Sequence, residues 1–179
     1  GRLRGRSLQT LPGEETRPTT QRVKEGLFSA IQFDIEGRRV LDLFAGSGQL
    51  GIEALSRGAV GCVFVDRNPE AAALIRRNLT ELGIAPEGRV LAQDAASYLA
   101  HVKEDFDLAF LDPPYAAELL EPTLRALAPH MAVGGLVVCE SDRELTMPEQ
   151  AEGLTLYRTY RYGRVMVWIY RREAEEGTA

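Results

Sequence analysis

The stretch LDLFAGSGQLG, Leu41 to Gly51, decides the fold. It closes a short apolar run, RRVLDLF (38–44), of the kind that forms a strand buried on both faces. Gly46, Gly48 and Gly51 then match G-x-G-x-x-G, the spacing that lets a ligand approach backbone where a strand hands over to a helix. Gln49 to Arg57 reads as that helix, with Gly58 as its stop. Alone, the match is weak, because a glycine-rich turn with no ligand has the same pattern.

The same unit recurs downstream. CVFVD (62–66) is a strand, and Asn68 with Pro69 opens a helix to about Leu82, where Gly83 ends it. RVLAQ (89–93) is a strand followed by a short helix over 95–103, and FDLAFL (106–111) is a strand followed by a helix over 116–128. GGLVVCE (134–140) is a fifth strand. The end differs: LTLYRTYRYGRVMVWIYRR (154–172) reads as two long strands meeting near Gly163 in an antiparallel hairpin. Five alternating units and a closing hairpin predict a Rossmann-like α/β fold, one seven-stranded, mostly parallel sheet with helices on both faces. Upstream, Thr19 or Thr20 can cap a helix whose Val23, Leu27, Phe28 and Ile31 share one face. Three regions are expected: a basic arm and helix entry over 1–24, the sheet domain over 25–172, and a frayed tail over 173–179.

At 179 residues, 45% hydrophobic and 26% charged, the chain has the composition of one globular domain with a substantial core. No apolar run approaches the roughly 20 residues of a membrane span, and no signal peptide is visible from Gly1 onward. Cys62 and Cys139 sit inside apolar runs and read as buried thiols of a reducing cytoplasm; no Cys and His cluster has metal-ligand spacing. The net charge of −5 is unevenly spread. Residues 1–24 carry +4 and the remainder −9, so an acidic body bears a basic arm suited to meeting a polyanion at one edge. Arg2, Arg4 and Arg6 would share one face if that arm is extended.

Carboxylates at the strand tips sharpen the reading of the glycine loop. Asp42, four residues before Gly46, would repel a pyrophosphate but suit a ligand with a cationic amino-acid end. Asp66 ends the second strand, where a carboxylate can accept from two ribose hydroxyls. Asp94 follows the third and can meet an adenine amino group, or simply cap the next helix. Ammonium, sulfonium, ribose and adenine without phosphate describe S-adenosylmethionine.

The fourth strand ends in LDPPY, Leu111 to Tyr115. In a doubly wound sheet it lies beside the first, which places Asp112 near the ligand's methyl group. The lone pair of an exocyclic base amine is delocalised into its ring, so such a nitrogen is a poor nucleophile. Asp112 Oδ and the Pro113 carbonyl can grip its two N–H groups, favour pyramidalisation and stabilise the charge that develops. Pro113 and Pro114 fix the backbone, and Tyr115 can stack on a base taken out of its helix.

DLFAGSG, VDRNP and LDPPY, in that order, resemble a class I S-adenosylmethionine-dependent methyltransferase acting on amino nitrogens. GRLRGRSL, RPTTQRVKEGLF, DLFAGSGQLGIEALSRGA and a late YGRV together closely resemble the RsmD family of bacterial methyltransferases, from Gly1 to about Tyr170. That resemblance implies methylation of N2 of one guanine in 16S rRNA, in an assembled or assembling 30S particle. It implies a cofactor pocket of Asp42, Ala45, Gly46, Ser47, Gly48, Asp66 and Asp94, and an amine site of Asp112, Pro113, Pro114 and Tyr115. It also implies RNA contacts from Arg2, Arg4, Arg6, Arg17, Thr19, Thr20 and Arg22, with a monomeric enzyme and no metal. The main alternative is an N6-adenine DNA methylase, which shares the cofactor and the amine site; no separate target-recognition domain is visible in this length. A glutamine methylase is disfavoured by Asp112, where Asn is usual. A non-catalytic assembly factor has no use for an intact LDPPY, nor a nicotinamide dehydrogenase for Asp42.

Overall fold

A computed structural model of the chain describes residues 1–12 and 18–175, the side chains of 18–20 excepted. It shows five helices, α1 (Pro18–Ala30), α2 (Gln49–Ser56), α3 (Pro69–Glu81), α4 (Ala95–His101) and α5 (Ala116–Leu127). The strands are β1 (Arg39–Leu43), β2 (Gly61–Asp66), β3 (Gly88–Ala92), β4 (Phe106–Leu111), β5 (Met131–Ser141), β6 (Gln150–Ala151), β7 (Leu154–Tyr162) and β8 (Val165–Arg172). They form one sheet in the order β3-β2-β1-β4-β5-β8-β7-β6. β1 to β5 run parallel, whereas β8 joins β5 antiparallel, as do the remaining pairs. The α/β architecture expected from the apolar runs is therefore present, with an antiparallel hairpin at its C-terminal end.

The sheet has eight strands, not seven. The additional strand, β6, is two residues long and pairs with the start of β7 through Glu152 and Gly153, both at positive φ (51° and 91°). A two-residue turn with positive φ at both positions closes a hairpin without needing an apolar run. α1 also differs from expectation: it begins at Pro18, so Thr19 and Thr20 lie within its first turn rather than before it. A proline at the first helical position has its φ already set for the helix.

Alternation along the strands splits the core into two layers. Leu41 and Leu43 of β1, Val65 of β2 and Leu111 of β4 pack with α4 and α5. Val40, Phe64, Leu108, Phe110 and Val138 pack on the other face with α1, α2 and α3. Full burial of each large side chain there contributes about 1.5–3 kcal/mol. Gly51 sets the approach of α2 to β2, since a Cβ there would lie 2.4 Å from Phe64 Cε1 and 2.7 Å from Cys62 Sγ. Both cysteines are buried and free. No helix of the described residues is long and apolar enough to cross a membrane.

The N-terminal arm is folded onto the body rather than extended. Arg4 N–H donates to the Gly1 carbonyl and Arg6 N–H to that of Leu3, so residues 1–6 are tight turns. Gln9 exchanges two hydrogen bonds of 3.0 Å with the buried side chain of Asn78 on α3. An extended arm would leave those groups to water. Here they find partners on α3.

Candidate active site

The order of the strands reverses between β1 and β4, and a cavity of about 1080 Å³ opens there at the carboxyl ends of the parallel strands. Its lining includes Asp42, Ala45, Gly46, Ser47, Asp66, Asp94, Asp112, Pro114 and Tyr115. Gly48 lies behind the loop, its α-carbon facing Ile75 and Phe64, and its φ of 82° is the left-handed conformation that lets α2 begin directly after the turn. Pro113 is buried and is not among the lining residues. Strand periodicity explains the convergence. Asp42 lies two residues after Val40, Asp66 two after Phe64, and Glu140 two after Val138, so all three continue rows that face α1–α3.

Asp42 is almost fully buried. Its Oδ2 accepts one hydrogen bond, from the Gly51 N–H at 3.0 Å, and it has no ion pair among the described residues. Burial, reinforced by the nearby charges of Asp112 and Asp66, raises its pKa to about 8 despite the opposing bond from Gly51. A buried carboxylate in this condition favours a cation beside it.

Asp66 holds the glycine loop in place. Its Oδ2 accepts from Gly46 N–H and its Oδ1 from Asn68 N–H, each at 2.9 Å. A carboxylate has about four acceptor sites, so capacity remains for hydroxyl donors. Asp94 caps α4, accepting from Ser97 N–H at 3.2 Å, and also lines the cavity, so the capping role and the cavity position coexist.

The LDPPY turn projects from the tip of β4 at the mouth. Asp112 is exposed, and Tyr115 is 78% exposed with φ of 56°, a left-handed conformation that is strained for a tyrosine. Phe44, opposite in the same cavity, also has positive φ (66°). The Tyr115 carbonyl accepts from the N–H groups of Glu118 and Leu119, so the first turn of α5 fixes the backbone of the turn at Tyr115.

Two further residues belong to the site. Glu140, at the tip of β5, lines the cavity, and its pKa is raised to about 8 by burial, then by Asp112 and Asp142. Its signal was available, since GGLVVCE is another apolar run ended by an acid. Asn78 also donates to the Ser47 carbonyl at 3.3 Å, tying α3 to the loop. Nothing in helical periodicity marks it.

The RNA-contact candidates are dispersed. Arg2 pairs with Glu87, and Arg6 donates to the Glu81 carbonyl at 2.9 Å. Arg4 and Arg22 are exposed. Arg17 and the side chains of Thr19 and Thr20 lie outside the described residues. Among the described residues no group of three or more His, Cys, Asp or Glu is arranged to hold a metal ion.

A family model described as "Conserved hypothetical protein 95" matches residues 1–171. The "Ribosomal RNA small subunit methyltransferase D" of Escherichia coli K12 is 36% identical over 177 residues, covering 98% of this chain and 89% of that protein. The chain belongs to this family, the RsmD family. The YlbH protein of Bacillus subtilis strain 168 is 41% identical over 177 residues, with 96% of each chain covered. A solved structure of the Escherichia coli protein yhhF superposes with a TM-score of 0.87 at 36% identity, covering 98% of this chain and 96% of that one. The RsmD resemblance read from the motifs thus agrees with the comparisons, and the doubly wound sheet agrees with the solved fold.

Proposed function

We propose that the protein transfers a methyl group to the exocyclic N2 of a guanine in 16S rRNA, acting as a cytoplasmic monomer on a 30S or pre-30S particle. One observation carries the reading: a buried carboxylate in want of a cation, Asp42, shares a cavity with the Asp112–Tyr115 turn across the β1–β4 reversal. The amine grip and the cationic ligand site are thereby side by side.

The residues fit the cofactor. Asp42 would face its ammonium end, the Ala45–Gly48 loop would let backbone approach it, Asp66 would accept from ribose hydroxyls, and Asp94 would meet the adenine amino group; Asp42, Ala45, Gly46, Ser47, Asp66 and Asp94 line the one cavity. When bound, S-adenosylmethionine supplies an electrophilic methyl on a sulfonium. The Asp112 carboxylate accepts one N2–H group, and the Pro113 carbonyl accepts the other once the turn brings it into the cavity, which turns the nitrogen lone pair out of conjugation. Positive charge grows on N2 as the new N–C bond forms and the methyl–sulfur bond breaks, leaving the neutral thioether S-adenosylhomocysteine, and Asp112 stabilises that charge. The proton then lost from N2 passes by Asp112 to water at the exposed mouth. Tyr115 stacks on the extruded guanine, and Pro114 holds the turn rigid. Exposed Arg4 and Arg22, with Arg17, Thr19 and Thr20 near the start of α1, are placed in sequence to meet phosphates.

The test is nucleoside analysis of 16S rRNA from a strain lacking the gene, with and without its return on a plasmid. N2-methylguanine should be lost from one site and restored. Unchanged N2-methylguanine in the deletion strain would contradict the assignment.

A further inference from the structure

The basic arm is partly spent on the body, since Arg2 and Arg6 have internal partners. A second cationic tract lies elsewhere. YRTYRYGR, Tyr157 to Arg164, holds three arginines and three tyrosines and no acid, on a body of net negative charge. It forms the end of β7 and the turn into β8.

Register places the turn end of this tract at the mouth of the site, with Tyr157 and Arg158 further back along β7, where Arg158 is opposite Ile169. β8 runs antiparallel to β5, with Met166 opposite Ser141 and Val167 opposite Glu140. The Gly163–Arg164 turn therefore lies at the same end of the sheet as Glu140 and Asp112. Tyr160 and Tyr162 pack on the layer that contains α1, and a Cβ on Gly26 of α1 would lie 2.6 Å from the Tyr162 ring. Val23, Lys24 and Leu27 of the same helix line the cavity. The tyrosine row thus continues the α1 wall outward.

Its side chains are already ordered. The Arg158 guanidinium lies 4.9 Å from the centre of the Tyr157 ring and donates to the hydroxyls of Tyr157 (3.3 Å) and Tyr160 (3.1 Å). The Tyr160 and Tyr162 rings are nearly parallel, 19° apart, with centroids at 6.2 Å. Tyr157 is half-exposed, and Arg158 and Arg164 are exposed, whereas Arg161 pairs with Glu144. Exposed π faces interleaved with guanidinium groups are what a single strand of nucleic acid uses, bases on the rings and phosphates on the cations. An extruded target base also obliges its flanking strand to leave the cavity at this mouth.

We propose that the β7–β8 hairpin binds the unpaired RNA strand flanking the target base, with phosphates on Arg164 at its tip and on Arg158 along β7, and a base against Tyr157. The assignment rests on the rRNA reading above.

The test compares wild type with Arg158→Glu/Arg164→Glu, using fluorescence anisotropy of a labelled single-stranded RNA of about 15 nucleotides and methylation kinetics on 30S particles from the deletion strain. The double variant should bind RNA at least about tenfold more weakly. Its plot of log affinity against log salt should be shallower by about 1.4, since each lost single-strand phosphate contact removes about 0.7. On 30S particles KM should rise while kcat holds. Unchanged melting temperature and cofactor affinity identify the loss as one of RNA contact, and Arg158→Gln/Arg164→Gln, which removes the same two cations without adding acids, should flatten the salt slope by the same amount with a smaller loss of affinity. Wild-type affinity, salt slope and KM in both variants, with wild type methylating 30S normally, would overturn the hairpin assignment alone. Failure of wild type itself to methylate 30S particles or 16S rRNA would overturn the rRNA reading, and the hairpin assignment with it.

Discussion

Asp112 and Glu140 occupy the tips of neighbouring parallel strands, each one residue beyond the Leu111–Cys139 pair. Burial raises the pKa of Glu140 to about 8, and the neighbouring charge of Asp112 adds to the effect. A carboxyl group with a raised folded-state pKa binds more protons folded than unfolded, so its contribution to stability is full below the unfolded value and is lost as pH rises through about 8. Glu140→Gln should therefore flatten the fall in melting temperature between pH 6 and 9 and raise it at pH 9 by several degrees, on the scale of about 2–4 °C per kcal/mol. A pH profile from differential scanning calorimetry decides this; a variant that tracks wild type across the window would show that Glu140 ionises freely.

Asp42 titrates in the same range, but its consequence is read in binding. With a ligand-free pKa raised to about 8, it must lose a proton to face a cation. S-adenosylmethionine affinity should increase with pH between 6 and 7.5, with close to one proton released per binding event. Calorimetry in two buffers of different ionisation enthalpy measures that release. Asp42→Asn should bind at least about tenfold more weakly and release no proton, and an unaltered proton count would place the titrating group elsewhere.

Tyr115 separates stability from chemistry. Its φ of 56° costs on the order of 1 kcal/mol in a residue with a side chain, a cost that glycine avoids. Tyr115→Gly should be as stable as wild type or slightly more so, yet lose methylation at least about tenfold because the stacking ring is gone. Tyr115→Phe should keep most of the rate. Equal rates for Tyr115→Gly and wild type would remove the ring from the account.

Asn78 joins three parts of the molecule. It exchanges hydrogen bonds with Gln9 in the arm and donates to Ser47 in the glycine loop, from a position 1% exposed. Asn78→Ala leaves those backbone groups without their partner and should cost about 1–3 kcal/mol by urea denaturation. It should also expose the arm to limited proteolysis at Arg2, Arg4 or Arg6. A variant with wild-type stability and cleavage would mean that the arm is held by other contacts.

What the sequence made legible follows from periodicity. Runs such as CVFVD and FDLAFLD end in acids because the interior of a parallel sheet is apolar and its carboxyl ends are open to ligand, so strand and candidate site are read from the same residues. Glu140 obeys the same logic, and GGLVVCE carried its signal as plainly as LDPPY carried that of Asp112. The remainder depends on distant partners. β6 is held by a two-residue turn and two pairings, too short for any pattern. The arm alternates like a strand, but Asn78, Glu81 and Glu87 give its polar groups partners that turns, not extension, can reach. The left-handed backbone of Phe44 and Tyr115 leaves no trace in composition, because neither residue favours it.

The most direct test of the account is tritium transfer from labelled S-adenosylmethionine to 30S particles, naked 16S rRNA and genomic DNA, all from a strain lacking the gene, followed by nucleoside digestion. The account predicts label in N2-methylguanine from the ribosomal acceptors, abolished by Asp112→Ala while that variant still binds the cofactor. Label recovered as N6-methyladenine from DNA, or full turnover by Asp112→Ala, would contradict it.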